Sequence, residues 1–219
     1  MQEKFLNTLI ATKELPKIFY DAINSGIKPP TIIEIIRKHL RPQKLDDLVL
    51  FLEKRQSRSS AENLILGFIY EQELAKTHDR NLQRGLAYSK FKELANQGDS
   101  YGQFFLAVMY YRDIGSNSNL FPRALELLVN SATQGNSCAN FMLGQHFEFG
   151  QSGSKFNAFL VYQKAAEIGH ILAINSLARF LFLGVGANRD VHKSLKWYRK
   201  GVSQKNGESR KKINEIFRR

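Results

Sequence analysis

The chain has 219 residues, 43% of them hydrophobic and 11% aromatic, and a formal net charge of +12. That is enough apolar material to bury a sizeable core, as one extended domain or two small ones, and it excludes a disordered tail. Five prolines against sixteen phenylalanines, with long stretches lacking the alternation of strands, predict an all-α protein.

The lone cysteine, Cys138, excludes an intramolecular disulfide framework and a multi-cysteine metal site, and a reducing compartment is the simplest reading. No apolar run reaches the ~18 residues of a membrane-spanning helix. The opening MQEKFLNTLIATKEL holds Glu3 and Glu14 and shows neither a secretory signal nor an acid-poor transit peptide. The expected location is therefore cytoplasmic, with export by a signal-less route still compatible. The charge is concentrated at the ends: residues 188–219 carry eleven basic and three acidic side chains, and residues 1–60 carry eleven and seven. Basic ends suit a phosphate backbone, anionic lipid or acidic protein, or form a solvated face.

In chain order, Leu15-Pro16 followed by Ile18, Phe19, Ala22 and Ile23 predicts a short helix with proline in its first turn, ended by Gly26. Pro29 and Pro30 open a second helix whose Ile32, Ile33, Ile35, Ile36 and Leu40 make a wide apolar face. Pro42 separates it from a third carrying Leu45, Leu48, Val49 and Leu52. Residues 1–58 thus read as a small helical bundle that caps the rest of the chain.

From Ser59 the chain repeats itself. FKELANQGD, LVNSATQGN and VYQKAAEIGH end on Gly98, Gly135 and Gly169, which stand 37 and 34 residues apart, a period that points to helical repeats. Four residues after each glycine comes a small residue (Gly102, Ala139, Ala173), and five further on another (Ala107, Gly144, Ala178). Each of the latter follows a leucine (Leu106, Leu143, Leu177) and precedes, by three, Tyr110, Phe147 or Leu181, so these side chains share one helical face. Leu66, Gly67 and Tyr70 reproduce the register after Arg58, which stands where a glycine would be. A second helix per unit carries Ala87, Ala124, Ala158 and Ser194, then Phe91, Leu128, Tyr162 and Tyr198, and closes with Ala95, Ala132, Ala166 and Val202. Each unit is a helical hairpin, and its small-small-x-x-Gly ending is a packing joint with a C-terminal cap. Repeats are expected near 59–99, 100–136, 137–170 and 171–206. Beyond them RKKINEIFRR places Ile213, Ile216 and Phe217 at helical spacing, a basic capping helix over 207–219.

The segments YGQFFLAVMYY, ANFMLGQHFEFG and INSLARFLFLGVGANRDVHKSLKWYRKG resemble Sel1-like repeats, relatives of the tetratricopeptide repeat. The fourth unit carries the family's turn and aromatic pair at Gly184, Gly186, Asp190, Trp197 and Tyr198; the third carries its ending at Ala165, Ala166 and Gly169. The first two units have long, irregular turns (THDRNLQRG, DIGSNSNLF) and lack the Trp-Tyr pair. The resemblance implies a right-handed α-solenoid of about four hairpins between N- and C-terminal helical caps. Some secreted members staple each hairpin with a disulfide; one cysteine points to a cytoplasmic type of member.

Nothing in the sequence argues for catalysis, a cofactor or a metal. His39, His78, His146, His170 and His192 are scattered, with no two at the i, i+4 spacing of a helical metal site, and read as surface or turn residues. Cys138, at a helix start, suits a small buried apolar role better than a lowered thiol pKa. Gly184-Val185-Gly186 follows a helix instead of a strand, so it reads as an interhelical turn and not a phosphate loop.

What remains is a surface. In stacked hairpins of this kind the first helices line the concave side. The first-helix positions not used for packing within the hairpin are Phe68, Glu71, Phe104, Val108, Tyr111, Arg112, Gln145, Glu148, Asn175, Arg179 and Phe182. Aromatics mixed with arginines suit recognition of a polypeptide segment. The expected function is a non-enzymatic adaptor holding a protein partner; the resemblance implies scaffolding of complexes, including signalling assemblies and bacterial contacts with host proteins. The alternative is an RNA-binding helical-repeat protein using its basic ends, with Lys196, Arg199, Lys200, Arg210, Lys211 and Lys212 as the basic patch.

Overall fold

The computed structural model of the chain describes residues 14–27, 29–40, 45–75, 78–113, 119–150 and 153–218. Among these the backbone forms twelve helices and no strand. Three precede the repeats: α1 (Glu14–Asn24), α2 (Pro29–Leu40) and α3 (Leu45–Lys54). Four pairs come next: α4 (Ser60–Glu71) with α5 (Arg80–Asn96), α6 (Ser100–Asp113) with α7 (Leu120–Thr133), α8 (Ser137–Phe149) with α9 (Lys155–Ile168), and α10 (Ile171–Leu183) with α11 (Val191–Ser203). A single helix, α12 (Gly207–Phe217), closes the order. Pro42 and most of the second repeat's irregular turn lie outside the described residues.

The chain divides into two compact units, one of residues 1–23 and 27–130 and the other of residues 24–26 and 131–219. In the first unit α1 buries Leu15, Phe19, Ala22 and Ile23, and α3 buries Leu45, Leu48, Val49 and Leu52. Edge-to-face contacts carry the core from Phe19 to Phe68 (5.1 Å) and on to Phe105 (5.9 Å), where Phe91 stacks at 4.9 Å. Such pairs add about 1 kcal/mol each beyond their area. Helix α4 starts where the register predicts. Ser59 is its N-cap, and Glu62 returns the bond to the Ser59 amide at 2.7 Å, a reciprocal capping box. That box and Arg55, 2.9 Å away, let Glu62 lie buried in a helix that is buried from Glu62 to Tyr70.

Arg58, in place of the glycine, does a different job. Its guanidinium donates to the carbonyls of Leu52 (2.8 Å), Arg55 (3.0 Å) and Glu53 (3.2 Å), satisfying groups that the end of α3 leaves open.

The second unit is built on a buried cluster of Ala158, Tyr162, Ala165, Ala166, Ala173, Ile174, Leu177, Phe180 and Leu181. A Cβ on Gly144 would stand 2.4 Å from the Tyr162 ring, so only glycine admits that aromatic against α8. The Gly184 and Gly186 turn is interhelical as expected, with Asp190 capping α11 through the Lys193 amide at 2.8 Å. The turn Asn24–Gly26 also belongs here: the Ser137 hydroxyl donates to the Asn24 carbonyl (2.7 Å) and the Ile171 amide to the Ser25 carbonyl (3.0 Å).

The junctions between repeats share one geometry. Gly98, Gly135 and Gly169 have φ of 81°, 84° and 110°, and the fourth junction holds Lys205 at φ 61°. A left-handed lysine costs on the order of 1 kcal/mol that glycine does not. The next residue is each time an N-cap. Asp99, Asn136, His170 and Asn206 accept the amides of Gly102, Ala139, Ala173 and Ser209 at 2.8, 3.1, 3.3 and 3.1 Å. His170 is therefore a buried cap rather than a surface or open turn residue. Its ring stacks on Phe141 at 4.6 Å, and burial lowers its pKa to about 4. Burial also pushes the Cys138 thiol up to about 12, opposite to an activated thiol.

Candidate functional site

Among the described residues the first helices of the hairpins border a cleft in each unit. In the first unit a cleft of about 370 Å³ lies between the ends of α4 and α6, with Tyr70, Met109, Glu71, Arg112, Arg84 and Asp113 in its wall. Its charges are mutually satisfied. Arg112 pairs with Glu71, Arg84 with Asp113, and Arg80 with Glu73 at 2.7 Å. Of the other residues expected on this face, Phe104 and Val108 are half-buried, and Tyr111 lays its ring edge-to-face on Phe121 at 5.9 Å. The Tyr111 hydroxyl is enclosed without a hydrogen-bond partner among the described residues, and burial raises its pKa. Phe68 is not on the surface at all. It is 1% exposed because α1 covers that side of α4 with Phe19.

In the second unit two adjoining cavities, of about 280 and 240 Å³, run between α8, α10 and α12. The first is bordered by Phe141, Gln145, Leu172, Asn175 and Glu208, the second by Phe182, Leu183, Glu215 and Ile216. Arg179, Tyr198 and Lys212 line both and so stand in the middle of one trough. Four of the five residues expected here border it, namely Gln145, Asn175, Arg179 and Phe182. The fifth, Glu148, is 8% exposed and works from beneath: it accepts the Tyr162 hydroxyl at 2.8 Å and the Arg179 guanidinium at 2.5 Å. Arg179 also lies over the Phe180 ring at 5.0 Å, so its head is fixed while its side chain remains 40% exposed. Asn175, also buried, donates to Glu208 at 3.1 Å and accepts from Ser209.

Tyr198 and the α12 wall are site residues that the repeat register does not single out. Tyr198 occupies the packing register of Phe91, Leu128 and Tyr162, and its ring is 3% exposed. A hydroxyl at a position where phenylalanine and leucine also serve was the available signal. The basic patch divides. Lys196, Arg199, Arg210 and Lys211 are exposed, whereas Lys200 donates to the Ala166 carbonyl at 3.0 Å and sits over Trp197, and Lys212 pairs with Glu215 at 2.8 Å in the trough wall. Among the described residues no three His, Cys, Asp or Glu side chains gather where a metal could be held, and no helix is long and apolar enough to cross a membrane.

Comparison with known proteins agrees with this architecture. The Sel1 repeat family model matches residues 100–136, 139–170 and 171–206, leaving the hairpin α4–α5 outside it. None of the curated protein sequences matches the chain. Among solved structures it is similar to c5321, a protective antigen of uropathogenic Escherichia coli strains with an SLR fold, at 27% identity and a TM-score of 0.64. That likeness covers 80% of this chain but only 37% of c5321. A Sel1 repeat protein from Oxalobacter formigenes is similar at 25% identity and a TM-score of 0.53, over 58% of this chain and 96% of that one. Sel1 repeats are in general protein interaction modules, and the chain carries three of them over residues 100–206, with Sel1 repeat proteins among its structural neighbours.

Proposed function

We propose that the protein is a non-enzymatic adaptor that holds a segment of a protein partner against its first helices, with the trough of the second unit as the main contact. In this reading residues 1–58 and 207–219 cap an array over residues 59–206, and α12 does more than cap, since it supplies one wall of the trough. The observation that carries the proposal is the trough itself: two adjoining cavities whose shared wall combines a fixed guanidinium, a phenol and an ammonium with exposed apolar side chains at one end. Buried anchors beside polar groups are what a binding hot spot requires. The first unit's cleft is the poorer candidate, because its cations are already committed to its own acids.

Leu183, 56% exposed at the apolar end, gives a clean test. Leu183→Glu should lower recovery of the physiological partner at least tenfold, a penalty of about 1.4 kcal/mol, while an exposed substitution leaves the melting temperature nearly unchanged. Lys164→Glu on α9, away from the trough, serves as the control and should retain binding. Full recovery by a well-folded Leu183→Glu variant would refute the assignment. RNA binding through the basic ends draws on four exposed cations of the patch, Lys196, Arg199, Arg210 and Lys211, and predicts an affinity that falls steeply with salt.

A further inference from the structure

The centre of the trough has a chemistry of its own. Tyr198 is almost wholly buried, yet its hydroxyl makes no hydrogen bond among the described residues, and the side chain lines both cavities. The ring is packed away, but the oxygen itself is not enclosed, so it can donate to a group lying in the trough. Beside it stands Arg179. Glu148 takes one of its terminal nitrogens, and its remaining N–H groups make no hydrogen bond among the described residues. Lys212 also lines both cavities, and its one ion pair among the described residues is with Glu215, a contact in which both side chains are more than 40% exposed. Pairs of that exposure are weak and readily exchanged. Three donors, two of them cationic, therefore border the same two cavities, with Glu148 beneath Arg179 and the exposed Glu208 and Glu215 at the rim as the acids nearby.

We infer that this place receives a carboxylate, and that the trough binds an extended polypeptide segment in which an internal Asp or Glu side chain accepts hydrogen bonds from Tyr198, Arg179 and Lys212 while a bulky apolar neighbour enters the cavity beside Phe182, Leu183 and Ile216. The inference rests on reading the trough as the partner surface. The lining cations and rim acids balance in number, Arg179 and Lys212 against Glu208 and Glu215, so it is the donor set that selects an acid: charge-assisted bonds from a fixed guanidinium and an ammonium are the strong ones, and a phenol adds a neutral donor. The position selects a side chain instead of a chain end. The three donors border both cavities, so lined volume extends on either side of them, and a segment anchored there continues in both directions. Glu208 and Glu215 at the rim repel a uniformly acidic segment, which favours a single acid among apolar and neutral neighbours.

The test is an array of heptapeptides, acetylated and amidated at their ends, with Glu, Asp, Gln, Asn or Lys at the central position and varied flanks, probed with the full chain at low salt. Peptides centred on Glu or Asp should give signals about tenfold stronger than their Gln or Asn counterparts, as expected for a charge-assisted contact. Tyr198→Phe, which keeps the ring packing, and Lys212→Gln should each cut that preference several-fold without changing the melting temperature. Binding with no preference for an acid would overturn the carboxylate site and leave the groove reading standing. An array without any binding would overturn both. An acid preference undiminished in both variants, or binding only by peptides with a free C-terminal carboxylate, would also overturn the inference.

Discussion

The two units solve one problem in the same way and then part. Glu71 and Glu148 stand four residues after Gly67 and Gly144, and each is paired with an arginine from the first helix of the following repeat, Arg112 and Arg179. In the first unit the surrounding cations are likewise bound to acids, and the cleft is closed electrostatically by its own ion pairs. In the second, the carboxylate lies beneath the arginine and fixes it, and Tyr198 and Lys212 bring further donors without a buried acid to absorb them. The same clasp is thus hemmed in by further ion pairs in the first unit and stands beside uncommitted donors in the second, which is why the second is the one proposed as a binding surface.

The largest expected effect concerns the second unit's junction. His170 occupies the N-cap place that Asp99 fills in the first unit, and its folded pKa of about 4 lies below the ordinary value of 6.5. The unfolded chain thus binds the extra proton first. The contribution of His170 is complete above pH 6.5 and is lost as pH falls toward 4, a loss of roughly 3 kcal/mol from this group. Hydrogen exchange resolved by unit should show residues 131–218 loosening over that window in the wild type, with a flatter response in His170→Asn, which keeps a capping acceptor. An identical pH response in the variant would contradict the assignment.

Next come the two clasps. Glu148→Ala leaves the buried Tyr162 hydroxyl without its acceptor and should cost about 2 kcal/mol. Glu71→Ala releases an arginine that is already 58% exposed and should cost less, about 1 kcal/mol. Denaturant unfolding of the two variants checks the order, and a reversed order would break the comparison.

Much of the fold is legible because packing writes a period into the sequence. The glycine spacing, the small residues that admit Phe91 or Tyr162, and the capping start at Ser59 all report local geometry. The site is less legible because it depends on what lies outside a single repeat. Phe68 obeys the register of a surface position, but α1 covers it, and nothing in the repeat encodes that cover. Glu71 and Glu148 look like free charges in one helix and are paired by the next. Lys200 reads as part of a basic patch, yet its stem lets the amine turn back to the end of α9. Tyr198 reads as a packing ring, and it is one, while its hydroxyl serves no packing need and leaves no mark in the period.

The most direct measurement places a photo-crosslinking amino acid at Gln145, on the rim of the second unit's trough, and separately at Arg84, on the first unit's cleft, and maps the crosslinks formed with the physiological partner. The account predicts crosslinked partner peptides from Gln145, reduced by Leu183→Glu, and none from Arg84. Crosslinks from Arg84 with none from Gln145 would contradict it.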